Sequence, residues 1–153
     1  NLATAPAPVD LNGGGVVYAW VDYDGDLNRV SVFVSASVSK PTAPVVTATA
    51  DLAALVGTRA FAGFTGGTGG LFNTQDVRTW SFAATSPLIP QPVFSYAAFT
   101  DPTPFALNGS AKLSGTGALR LTDGRGQAGS AYLKTPLAIN AGTRRVKAAI
   151  ALG

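Results

Sequence analysis

A chain of 153 residues has the length of about one domain, and with 46% apolar and only 12% charged side chains it is too apolar to stay disordered. Its net charge of +3 comes from eleven scattered Lys and Arg, of which only Arg144 and Arg145 are adjacent, so a nucleic-acid surface is not expected. Cys and His are both absent, which removes disulfides, thiolate nucleophiles, the usual general base and the usual transition-metal ligands. The eight acidic residues lie mostly in turns, so catalysis is not expected either. No apolar run reaches the ~18 residues of a membrane-spanning helix.

The 18 Gly and 10 Pro, with short runs of Val, Thr, Ser and Phe between them, predict many short strands joined by turns. Asn1 reads as the start of a processed or excised chain, and residues 1–15 are rich in Ala, Pro and Gly. Val16–Tyr23 is the first strand, with Val17, Ala19 and Val21 on one face and Tyr18, Trp20 and Asp22 on the other. Alternate oxygen side chains at Asp22, Asp24 and Asp26 invite a calcium reading. Gly25 is misplaced for an EF-hand loop and no closing Glu follows, so a hairpin turn is the preferred reading.

Arg29–Val38 is the cleanest strand. Val30, Val32, Val34 and Ala36 form a face expected to be buried, opposite a face that is polar apart from Phe33. Val45–Thr49 is another strand. Asp51–Gly57 reads as one or two helical turns, capped by Thr49 or Asp51 and closed by Gly57. Arg59–Phe64 is a strand, and Thr65–Thr74 is a Gly-rich loop without the Lys and Ser/Thr of a phosphate loop. Val77–Ala83 is a strand, and the Pro-rich residues 85–92 read as a linker.

Alternation resumes at Phe94, Tyr96 and Ala98. A hairpin follows, with Lys112-Leu113 and Ala118–Thr122 around the turn Ser114–Gly117. Ser130–Lys134 is a further strand, and Arg144–Leu152 a strand-like run that stops at the end of the chain. Asn108-Gly109-Ser110 fits the glycosylation sequon.

Several ordered pieces carry a family likeness. They are Val17–Gly25, Val30–Ser35, Asp51–Gly57, Ala62–Thr65 and Asp76–Phe82. Together they resemble the C-terminal half of the legume-type (L-type) lectin domain in its bacterial form. Asn1–Ala5 resembles the strand that enters this half. Leu107–Ala111, Leu119–Thr122 and Gln127–Tyr132 resemble the N-terminal half of the same domain. The order is therefore second half (1–84), linker (85–92), first half (93–153), and the two halves form either one permuted sandwich or two partial repeats.

The resemblance implies an all-β, antiparallel β-sandwich of the jelly-roll, concanavalin-like kind with one short helical turn. In such a sandwich the first and last strands are neighbours, so Val77–Ala83 and Phe94–Phe99 are expected to pair across the linker. The family's carboxylate-rich metal loop has no counterpart here, so no metal or cofactor is assigned. Calcium, if it binds, belongs to a loop outside this chain. Of the sugar-binding loops only the late one, Thr65–Asn73, has a counterpart, which makes Gly66, Gly67, Thr68, Phe72 and Asn73 the candidate carbohydrate-binding residues. Trp20, Tyr23 and Phe72 are candidate sugar-facing rings, although core or interface packing is the preferred reading of them.

Two non-catalytic functions follow. In the first, a secreted or cell-surface adhesive module self-assembles into a fibre or array, copies of the chain completing one another's sheets. In the second, the alternative, it is a calcium-dependent lectin whose partners are glycans. An enzyme of glycan metabolism needs two facing carboxylates, and Asp51 and Asp76 are better read as a helix cap and a strand start.

Overall fold

The computed structural model describes residues 2–57, 59–85, 93–138 and 145–152. It is an antiparallel β structure, as composition and resemblance both imply. Residues 2–16 make no strand, so the expected entry strand at Asn1–Ala5 does not form over its described part. The alternating segment Val17–Asp24 (β1) turns at Gly25–Asn28 into Arg29–Ser35 (β2), with Asp24 opposite Arg29. In the turn, Asp24 Oδ1 accepts from the Asp26 and Leu27 amides and Asn28 adopts φ 48°, a conformation Asn tolerates.

Strand β2 ends three residues short of the expected Val38. Ser35 and Ser37 hydroxyls capture the amides of Ser37 and Ser39 and divert the backbone from the ladder. Val46–Thr49 (β3) then pairs with β2. Asp51 caps the helix Leu52–Val56 (α1) by accepting from the Ala54 amide, and Gly57 at φ 75° closes it with a bond to the Ala53 carbonyl.

The expected strand Arg59–Phe64 is split. Arg59–Ala60 (β4) and Gly63–Gly67 (β5) join different sheets, and Phe61 between them is exposed. Gln75–Thr85 (β6) is the longest strand. The linker expected at 85–92 lies outside the described residues except for Thr85, which ends β6. The two strands flanking it do pair: Val93–Tyr96 (β7) runs antiparallel to β6, Phe94 opposite Phe82 and Tyr96 opposite Trp80.

Five strands complete the second part of the chain: Phe105–Gly109 (β8), Lys112–Leu113 (β9), Leu119–Thr122 (β10), Ala128–Leu133 (β11) and Leu137–Ala138 (β12). The last described element, Arg145–Leu152 (β13), lies in the middle of the large sheet, between β1 and β6 and antiparallel to both.

The large sheet has eight strands in the order β3-β2-β1-β13-β6-β10-β9, with β7 beside β6 on the same side as β10. A three-stranded sheet, β5-β11-β8, forms the second layer, and β12-β4 is a separate pair. Between the layers lie Val77, Trp80 and Phe82 of β6, Phe99, Phe105, Leu119, Leu121, Ala131 and Leu133. Val77 and Trp80 both point inward although they are three positions apart, the wrong parity for a regular strand. Leu152 pairs with Val77 and Ala151 with Thr79, so Arg78 is the extra residue of a β-bulge that resets the alternation. Edge-to-face contacts of Phe64 and Phe94 with the Trp80 ring, both at 4.8 Å, tie β5 and β7 to this centre.

Among the described residues the buried cluster takes no side chain from β1, β2 or β3, although Val17 and Tyr23 of β1 are themselves buried. Ala19, Val21, Val30, Val32 and Val34, on the face expected to be buried, are only half-buried. Phe33 on the opposite face is buried instead, because it lies beside Trp20 and the Lys40 ammonium sits 3.9 Å over its ring.

Candidate functional site

The late loop is built by β5, its Gly-rich extension and the turn 123–127. Gly66 and Gly67 belong to β5 and pair with Gly129 and Ala128, so the first part of the expected flexible loop is strand. Thr68 is anchored by its surroundings: its hydroxyl donates to the Gly124 carbonyl at 2.6 Å and accepts from the Gln127 amide at 3.0 Å. Gln127 Oε1 in turn accepts from the amides of Asp123 and Gly124. Beyond this anchor Leu71 and Phe72 are exposed, and Asn73 donates to the Asn12 side chain while its carbonyl accepts from Thr122. The loop thus presents one aromatic ring, Phe72, on a hydrogen-bonded base.

Next to this base, on the strands rather than the loop, stands an ion network. Arg120 of β10 donates from Nε and Nη2 to the two carboxylate oxygens of Asp76 on β6, at 2.8 and 2.9 Å. The Arg120 guanidinium is held in its charged form chiefly by that hydrogen-bonded carboxylate. Asp123 bonds Lys112 at 2.7 Å, and that contact with the Gln127 amide keeps its carboxyl below the usual carboxylate range.

The acidic turn after β1 does not gather into a cage. Asp22 pairs with Lys40, and Asp24 is used by the hairpin amides. Among the described residues no three acidic or His side chains converge, and the donor set does not fit a bound calcium ion. Asn108 sits exposed on β8 with its amide on the Ser130 hydroxyl, while the sequon's Ser110 hydroxyl donates to the Leu121 carbonyl. Asp51 caps α1, and Asp76, near the start of β6, pairs with Arg120.

Of the three candidate rings, Tyr23 is buried, with its hydroxyl between Asn28 and the Leu52 amide, and Phe72 is exposed. Trp20 is half-buried and, with Tyr18, lines an open groove of about 270 Å³ on the outer face of the large sheet. The two rings are near-parallel, with centroids 6.3 Å apart. Across the groove are Thr79, Ser81 and Ser95, and Val38 stands at its lip. Alternation along β1 gives away the two rings, but the hydroxyl side depends on β13 separating β1 from β6, which no local pattern carries.

Residues 2–92 match the legume lectin domain. The chain belongs to that family. Its relatives include the L-type lectin-domain containing receptor kinase VIII.2 of Arabidopsis thaliana, 37% identical over 76 residues that make up 50% of this chain and 11% of that protein. The L-type lectin-domain containing receptor kinase S.7 of Oryza sativa subsp. japonica is 35% identical over 83 residues, 54% of this chain and 12% of the relative. The chain therefore spans about a tenth of the length of the relatives it matches. Legume lectin domains are a non-catalytic, carbohydrate-binding family.

Proposed function

We propose that this chain is a glycan-recognition module at the cell surface or outside the cell, its two halves forming one permuted lectin-type sandwich. The observation that carries the reading is the late loop: a family-matched segment anchored through Thr68 and Gln127 that leaves the Phe72 ring exposed beside Asn73. An aromatic face and an adjacent amide suit a sugar, which has an apolar C–H face and hydroxyl groups. Gly67 leaves open space for a close backbone approach, Gly66 being packed against Gln75 and Leu121, and Thr68 sets the loop's register on the neighbouring turn. Surface placement is supported by relatives that are receptor kinases with this lectin domain. A glycan array probed with the folded chain, with calcium and with a chelator, tests the reading. Saturable signal that falls with Phe72→Ala supports it, and a folded chain that binds no glycan in either condition refutes it.

Self-association is a second reading, favoured by one observation: Val30, Val32 and Val34 of β2 stay half-buried, and among the described residues no side chain of β1, β2 or β3 enters the buried cluster. A second copy laid on that half of the sheet, or added at the β3 edge, would cover the half-buried valines. Sedimentation velocity across a hundredfold concentration range decides it. Assemblies that grow with concentration are the expected result, and a single monomeric species throughout overturns it.

A further inference from the structure

We infer that the outer face of the large sheet holds a second ligand site, the Tyr18–Trp20 groove, which takes a neutral pyranose chain without a metal ion. Three properties of the groove point to that ligand class. First, one wall is aromatic, its two rings near-parallel at 6.3 Å, which offers successive apolar surfaces to the C–H faces of successive sugars. Second, the opposite side is hydroxylic, and Thr79, Ser81 and Ser95 have no side-chain hydrogen-bond partner among the described residues. Unpartnered hydroxyls beside an apolar wall match a ligand that is apolar on its face and hydroxylated at its rim.

Third, no charged residue lines the groove among the described residues, which disfavours phosphate, sulfate and acidic ligands. On the same sheet face Asp22 and Lys40 are bonded to each other, and Lys40 also covers Phe33. The register supplies the groove's width. Trp20 is opposite Ala149, Ala149 opposite Ser81, and Ser81 opposite Ser95, so two strand spacings of about 4.8 Å separate the aromatic wall from the first hydroxyls. A pyranose ring fits such a trough edge to edge. The groove lies on strands, whereas the Phe72 loop joins β5 to β6, and the two sets of residues do not overlap.

The inference borrows from the glycan-binding reading only the class of ligand. It is tested by calorimetry with neutral gluco-, xylo- and manno-hexaoses in a chelating buffer, on the wild-type chain and on Trp20→Ala, Ser95→Lys and Phe72→Ala. The expected result is binding of at least one hexaose that weakens about tenfold in Trp20→Ala and is blocked in Ser95→Lys, with less than about twofold change in Phe72→Ala. Ser95 is exposed, so its replacement fills the groove without opening the fold, and circular dichroism verifies that each variant is folded. Binding that needs calcium and is lost only in Phe72→Ala overturns this site while leaving the lectin reading intact. Absence of any hexaose binding to the folded wild type also overturns it. So does an oligomer that Trp20→Ala dissociates, since the groove would then be an interface between copies.

Discussion

Replacing Arg120 with Met is predicted to destabilise the protein by about 2–3 kcal/mol, because it leaves the Asp76 carboxylate without its partner. Asp76 lies directly opposite Arg120 where β6 meets β10, and its side chain is only 10% exposed. Two charge-assisted bonds at 2.8 and 2.9 Å are lost together. Removing one member of a fully buried pair costs about 3–5 kcal/mol, and the 27% exposure of the Arg120 side chain lets water recover part of that. Asp123 is little affected, since Arg120 reaches it only at 3.6 Å and Lys112 holds it at 2.7 Å. In Asp76→Asn the shape is kept and one bond from the Arg120 guanidinium to the amide oxygen survives, so about 1–2 kcal/mol is expected. Urea unfolding of both single variants and the double variant measures the coupling, which should be about 1–2 kcal/mol at an unchanged m-value. Single variants within about 0.5 kcal/mol of wild type, with additive effects, would refute the claim that this pair clamps the segment resembling the second half of the domain to that resembling the first.

Phe94→Ala should cost about 2–3 kcal/mol, less than a fully buried Phe because the ring is half-buried; thermal unfolding reads the loss. The ring stacks on Phe82 at 5.2 Å and meets Trp80 edge-on, so the same variant should loosen β7 and raise amide exchange at Tyr96. Gly109→Ala should lower the melting temperature or abolish folding, because Gly109 sits at φ 62° and an added Cβ meets the Ala128 carbonyl oxygen. Asp101 and Asp123 both have carboxyl groups held below the usual carboxylate range, Asp101 by its hydrogen bonds to Thr103 and Asp123 by Lys112 and Gln127. Their lowered folded values mean that the stability they contribute is complete above the unfolded value of about 4 and is lost as pH falls through the lower folded values. Denaturant midpoints between pH 6 and pH 2 should therefore fall at the acid end, and less steeply in Asp123→Asn.

Local features were the legible ones. Period-two alternation marked β1 and β2, and Asp24-Gly25 marked the hairpin between them. Asp51 and Gly57 marked both ends of α1 through caps that need only neighbouring residues. What stayed hidden depends on distant chain. Arg145–Leu152 reads as a strand, but its place between β1 and β6 is decided by pairing with distant chain, from Arg145 to Thr85 on one side and to Asp24 on the other. That place separates the Tyr18–Trp20 wall from the hydroxyls of β6 and β7. Phe33 broke its own pattern because Lys40, outside the strand, covers it. Gly66 and Gly67 looked like loop because Gly carries no strand preference, yet they pair with Gly129 and Ala128 of β11. The bulge at Arg78 is invisible to strict alternation, although Val77 and Trp80, apolar three residues apart in a strand, are its trace.

Amide-detected NMR titration of the folded chain with array-selected and neutral oligosaccharides tests the central claim, that this scaffold recognises glycans, most directly. The account predicts saturable shifts confined to the loop around Phe72 and Asn73 or to the groove around Tyr18, Trp20, Ser81 and Ser95. Spectra that stay unchanged with every glycan, or that shift only along β3 and the half-buried valines of β1 and β2 as protein concentration rises, would contradict glycan recognition and leave self-association as the function.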